Sequence, residues 1–193
     1  MEKLPKKDKD FIETTDEIAL SKKRCEELWD KKIIDMFEVG TWKGLKQIHE
    51  YIFQDGFEFA GKMRHVNISK DDFTFAPLAF LEKSLTEIDK MPHDDFDQII
   101  NKYSEMNIAH PSREGNGRST RIWLDNILKK QLKLVVNWNQ IDKYSYLSAM
   151  VRSPINNAEL NVLIRKNLTD KINDRETFMK GITKSYEYEG YKV

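Results

Sequence analysis

Residues 94–131, DDFDQIINKYSEMNIAHPSREGNGRSTRIWLDNILKKQ, decide how this chain is read. Phe96, Ile99, Ile100, Tyr103 and Met106 recur every three or four residues and predict one apolar helical stripe over 94–109. His110-Pro111 ends that helix, because proline disfavours helical backbone at the residue before it. Trp123, Leu124, Ile127 and Leu128 mark a second helix from about Asn116 to Gln131, opposite a polar face carrying Arg118, Arg121 and Asp125. The nine residues from His110 to Arg118 join the two. They hold a proton acceptor, a carboxylate, two glycines and a guanidinium. Glycines let a backbone turn tightly with its N–H groups facing an anion, and the helix that follows adds its positive end. The connection reads as a phosphate cradle between helices.

Outward from the cradle, helical spacing dominates. Ile18, Leu20, Leu28 and Trp29 predict a helix over 16–30, and Leu45, Ile48, Ile52 and Phe53 another over 42–53. Helices are also expected over 78–90, 139–152, 156–167 and 174–189, with Ser153-Pro154 and Gly190 as breaks. Between Gly61 and Pro77 the period shortens to an alternation of Met63, His65, Asn67 and then Phe73, Phe75 around Ser-Lys-Asp-Asp, which predicts a β-hairpin at about 64–76. Residues 1–15 are rich in Lys and Asp and poor in apolar side chains, and read as a mobile tail. The fold class is mostly α with one small hairpin, in a single domain over 16–193.

Composition narrows the functions. Basic and acidic residues balance at 32 each, so no global field draws the chain to nucleic acid or an anionic membrane, and phosphate affinity must be local. Cys25 is alone, which excludes an internal disulfide framework and argues against a cysteine zinc site. No stretch approaches the ~18 uninterrupted apolar residues of a membrane span. A cytoplasmic location is expected.

Within the cradle, His110 at a helix exit can take a proton from a hydroxyl at neutral pH. Glu114 is a hard oxygen ligand suited to Mg²⁺ bridging phosphates. Gly115 and Gly117 supply the turn, Asn116 an amide, and Arg118 and Arg121 lie three apart on one helical face. Each has an ordinary alternative: a capping histidine, a solvated loop acid, a tight turn, a solvated basic face. His49, His65 and His93 lack such neighbours and are left as structural.

HPSREGNGR resembles the signature H-P-F-x-[D/E]-G-N-G-R of the Fic family, whose members are mostly helical. The resemblance implies a Fic-like helical domain that transfers AMP from ATP to a Tyr, Thr or Ser hydroxyl of a target protein. It implies His110 as base, Glu114 holding Mg²⁺ at the α and β phosphates, and Asn116 fixing the α-phosphate. Gly115, Gly117 and Arg118 would hold the anion, and Arg121 would reach the γ-phosphate. Gly117 stands where kinase-acting relatives carry lysine. Ser112 replaces the family's usual phenylalanine, which puts the anchoring of the loop in question.

Near the other end, Ser185-Tyr-Glu-Tyr-Glu189-Gly190 is similar to the family's inhibitory motif [S/T]-x-x-x-E-[G/N]. Its position resembles the single-domain bacterial subclass with a C-terminal inhibitory helix, here at about 174–190. The resemblance implies that Glu189 pairs with Arg121 and blocks productive ATP binding, with Ser185 part of the motif. It also implies a protein partner and homo-oligomerisation. Tyr186, Tyr188 and Tyr191 are candidates for self-modification, or simply pack. The hairpin resembles the target-holding flap, with Lys70, Asp71 and Asp72 as candidate contacts, or is a plain stabilising hairpin. Removal of AMP from a modified target, and a nucleotide-sensing module without turnover, are the rival functions.

Overall fold

A computed structural model describes residues 13–70 and 73–192. Among the described residues, eight α-helices carry the fold: α1 (Thr15–Asp30), α2 (Trp42–Phe53), α3 (Leu78–Lys90), α4 (Phe96–Ala109), α5 (Asn116–Leu132), α6 (Lys143–Arg152), α7 (Ala158–Lys166) and α8 (Arg175–Tyr188). Two short antiparallel ladders accompany them. β1 (Ser69–Lys70) pairs with β2 (Phe73–Thr74), and β3 (Val135–Val136) pairs with β4 (Leu168–Thr169). The first lies inside the expected hairpin but spans only two residues per strand. The second had no periodic signal, because two residues are too few to show alternation.

Helix boundaries follow local chemistry. Thr14 caps α1 with a reciprocal Thr14–Glu17 capping box, and Asp95, Asp142 and Asp174 accept from the first turns of α4, α6 and α8. The tail reading therefore fails for Glu13, Thr14 and Thr15, which are built into the fold; residues 1–12 lie outside the described residues. The stretch 139–152 splits into a 3-10 turn at Trp138–Gln140 and α6.

α5 is the central element. Trp123, Leu124, Ile127 and Leu128 are fully buried against Leu45, Ile48 and Ile52 of α2 and Ile99, Tyr103 and Met106 of α4. Its polar side is also covered. Arg118 and Arg121 are 1% and 3% exposed, because α8, Tyr191 just beyond it and Glu13 close over that face. Asp125 accepts from Val136 N and Trp138 Nε1, both at 2.8 Å, and so fixes the chain leaving α5. The first turns of α5 are thus enclosed on both faces, with Arg118 and Arg121 paired to side chains distant in sequence.

Candidate active site

The cradle stands between the end of α4 and the start of α5. His110 is the C-cap of α4 in the left-handed region (φ 47°), a conformation that a non-glycine residue adopts only when its surroundings enforce it. Arg64 is what enforces it. Its guanidinium donates to the carbonyls of His110 (2.8 Å), Val66 (2.7 Å), Ala109 (3.2 Å) and Ala76, and its own N–H donates to Pro111 O at 2.8 Å. A buried cation on the last carbonyls of α4 also complements that helix's negative end. It ties the hairpin region to the loop as well.

His110 Nδ1 lies 3.1 Å from Asn107 O, so that nitrogen carries the proton and donates, and Nε2 is left as the acceptor. Phe75 stacks on the ring at 3.6 Å between centroids. Burial pushes the imidazole down to about 4, against the opposing pull of the Asn107 hydrogen bond and the Glu189 charge. His110 is therefore neutral at physiological pH and ready to accept a proton.

The loop is braced from three sides. Asn116 Oδ1 accepts from Ser112 N at 2.8 Å, and its Nδ2 donates to Ser112 O at 2.6 Å, so this amide serves the loop itself. Ser112 is 2% exposed beneath that brace. His49, fully buried, accepts from Gly61 N at Nδ1 (3.0 Å) and donates from Nε2 to Glu114 O (2.8 Å). It is structural, as read, yet the structure it supports is the cradle. Gly115 has φ +79°, and a Cβ there would collide with the Phe53 ring, so both backbone angle and space require glycine.

Glu114 keeps a partly exposed carboxylate, and burial raises its pKa although Gly115 N donates to it at 2.8 Å. No cluster of three or more His, Cys, Asp or Glu side chains able to hold a metal exists among the described residues. Mg²⁺ fits here on one hard carboxylate oxygen only if phosphate and water oxygens complete its shell.

The two arginines are already engaged. Arg121 donates from Nη2 to Glu189 Oε1 (2.7 Å) and Ser185 O (3.1 Å), and from Nε to Ser185 Oγ (2.7 Å). Glu189 caps the end of α8, and its carboxylate lies where a Cβ on Gly117 would be, over the first turn of α5. Despite burial, the Arg121 charge, helped by Lys70 at 3.8 Å, holds Glu189 down at about 2. Arg118, expected among the phosphate ligands, instead gives both terminal nitrogens to Glu13 at 3.0 and 2.7 Å.

The remaining candidates divide. Tyr186 OH meets Ser21 Oγ at 2.8 Å, Tyr188 OH donates to Ile141 O at 2.8 Å, and Tyr191 OH donates to Glu13 at 2.9 Å, so all three hydroxyls are engaged in this conformation. Lys70 lies on β1 beside Glu189. Asp71 and Asp72 lie outside the described residues. Arg64 and Glu13 had no local signal in the sequence. Each matters only through partners far along the chain.

Residues 41–128, from the cap of α2 through most of α5, match the Fic/DOC family. These residues belong to the Fic/DOC family. The protein adenylyltransferase VbhT of Bartonella schoenbuchensis is 33% identical over 153 residues, 72% of this chain and 31% of that protein. The probable protein adenylyltransferase Fic of Escherichia coli K12 is 28% identical over 118 residues, 54% of this chain and 58% of its own length. The chain thus spans about a third to somewhat over half the length of these Fic relatives. The N-terminal FIC domain of Bep8 from Bartonella sp. 1-1C superposes with a TM-score of 0.63 at 17% identity, covering 83% of this chain and 89% of that one. The AMPPNP-bound BepC structure from Bartonella tribocorum gives 0.58 at 19% identity, with 77% and 86% covered. Mostly helical architecture and Fic fold therefore agree. No described helix is long and apolar enough to cross a membrane.

Proposed function

We propose that this chain is an autoinhibited protein adenylyltransferase, which moves AMP from ATP to a hydroxyl side chain of a target protein. The observation that carries the reading is a neutral His110 beside a glycine cradle whose Gly117–Arg121 face is filled by the Glu189 carboxylate. The names of the curated relatives support the activity. In the reaction, His110 Nε2 takes the proton of the target hydroxyl as its oxygen bonds to the α-phosphorus; the bond from that phosphorus to the bridging oxygen breaks, and pyrophosphate leaves. The orphan N–H groups at the start of α5 receive phosphate oxygens, as helix N-termini do. Glu114 would hold Mg²⁺, which when bound neutralises charge on the phosphates. The role of Arg121 is to take the γ-phosphate once Glu189 has left it. Positioning and charge stabilisation supply most of the catalysis in transfers of this kind.

The β1–β2 hairpin is the docking edge for an extended target segment, through backbone hydrogen bonds that accept many sequences. A second reading, hydrolytic removal of AMP, draws support from Glu189, whose ionised carboxylate beside the loop could orient a water.

The test is incubation of the Glu189→Gly protein with labelled ATP, Mg²⁺ and a bacterial lysate, followed by mass spectrometry of AMP adducts on Tyr, Thr or Ser. Labelling that disappears in the Glu189→Gly, His110→Ala double variant supports transfer. Nucleotide binding without any adduct would assign the chain to a sensing role instead.

A further inference from the structure

Glu13 belongs to the segment that the sequence presents as a charged tail, yet its side chain is 0% exposed. Its two carboxylate oxygens take the two terminal nitrogens of Arg118, and Oε2 also accepts from Tyr191 OH at 2.9 Å. The Arg118 guanidinium is enclosed by three rings: Phe53 at 4.7 Å, Tyr186 at 5.1 Å and Tyr191 at 5.2 Å. One carboxylate therefore joins the residues before α1, the first turn of α5, and the chain just beyond α8.

That last attachment bears on Glu189. Gly190 has φ +92°, its N–H donates to Glu187 O, and Tyr191 N donates to Tyr186 O at 3.1 Å. This is a Schellman closure, in which the residue two beyond the cap folds back onto the last turn. Tyr186 and Tyr191 rings accordingly lie 6.2 Å apart. Tyr191 is thus rigidly linked to the turn that carries Glu189. Anchoring Tyr191 on Glu13 fixes where the Glu189 carboxylate sits.

We infer that Glu13 is a positioning residue of the inhibitory helix: through Tyr191 and Arg118 it holds the end of α8, and Glu189 with it, on the anion loop. The inference rests on the reading of Glu189 as a brake, and extends that brake to the opposite end of the chain. Arg118 then anchors the segments before α1 and after α8 in the resting protein, where the family signature alone suggests a phosphate ligand. Glu114, whose Oε1 is 3.6 Å from Arg118 Nη2, lies at the edge of the same cluster.

Two variants test this. Glu13→Gln keeps the shape and removes the charge, and Tyr191→Phe removes only the hydroxyl that reaches Glu13, so it remains informative if Glu13→Gln does not fold. Amide hydrogen exchange of the protein without nucleotide is the first readout. A hydrogen bond to a charged acceptor is worth about tenfold or more in an opening equilibrium. Exchange over residues 186–191 should therefore accelerate about tenfold in both variants, while α2 and α4 are unchanged. AMP transfer is the second readout: each variant should raise it in the parent background and leave it unchanged in the Glu189→Gly background. Unchanged exchange over 186–191 would overturn the inference. So would transfer that falls in both backgrounds, which would make Glu13 a support of the loop alone. If Glu189→Gly itself fails to raise transfer, the brake reading fails, and the exchange result still decides whether Glu13 holds α8.

Discussion

Replacing Glu189 by glycine should raise AMP transfer by between about 10- and 300-fold. The upper figure comes from the ion pair with Arg121. The carboxyl drops from an ordinary 4.5 to about 2 in the folded protein, and at 1.36 kcal/mol per unit that is about 3 kcal/mol in favour of the closed arrangement. If ATP must take Arg121 from Glu189, the competent fraction is then about one in three hundred, and apparent activity falls by the same factor. The lower figure allows for the two bonds from Arg121 to Ser185, which survive the substitution. Ser185→Ala, which frees Arg121 Nε and leaves Glu189 in place, should raise transfer only a few-fold. The assay is transfer of labelled AMP to protein at fixed Mg²⁺ and ATP, for parent and variant side by side. The pH dependence is part of the prediction. A carboxylate with a depressed pKa stabilises the closed form fully above about 4.5, and this contribution is lost as pH falls through about 2. The variant-to-parent ratio should therefore be flat between about pH 6 and 9. Equal transfer by the two proteins, or a ratio that changes steeply across that range, would refute the reasoning.

Three further outcomes are expected. His49 and His110 are both held neutral at about 4, so the unfolded chain binds more protons between about 6.5 and 4, and stability should fall by up to about 3 kcal/mol per histidine as pH drops through that window. Thermal melts against pH check this, and His49→Gln should flatten the slope while lowering the melting temperature at pH 7. Arg64→Lys should behave much like Arg64→Ala, each losing about 3 kcal/mol or more in denaturant unfolding and most AMP transfer, because a single ammonium cannot serve four divergent carbonyls; recovery by lysine would show that charge alone suffices. Gly115→Ala should cost about 2–4 kcal/mol, combining left-handed backbone strain with the clash against Phe53, and should abolish nucleotide binding measured by calorimetry.

The cradle and the two helices around it were legible because their signals are local. Helical period, a proline at a helix exit and closely spaced glycines act within a few residues of where they stand. Ser185 and Glu189 were legible as a motif, and their arginine could be named from the family resemblance. Other roles were hidden. Arg118 and Asn116 read as phosphate ligands, and the sequence holds no sign that Glu13 sits on the one or that the amide of the other closes the loop on Ser112. His49 looks like an ordinary core histidine, which it is, but its Nε2 proton goes to Glu114.

What the sequence determined by itself is the set of elements whose causes are short-range: the order of the helices, the turn between α4 and α5, and the chemistry available in that turn. What only the tertiary structure decided is which charged groups face each other. Arg64 with the α4 carbonyls and Glu13 with Arg118 are separated by 45 and 105 residues. A buried charge is tolerable only beside its partner, and the folding of the whole chain determines which partner arrives.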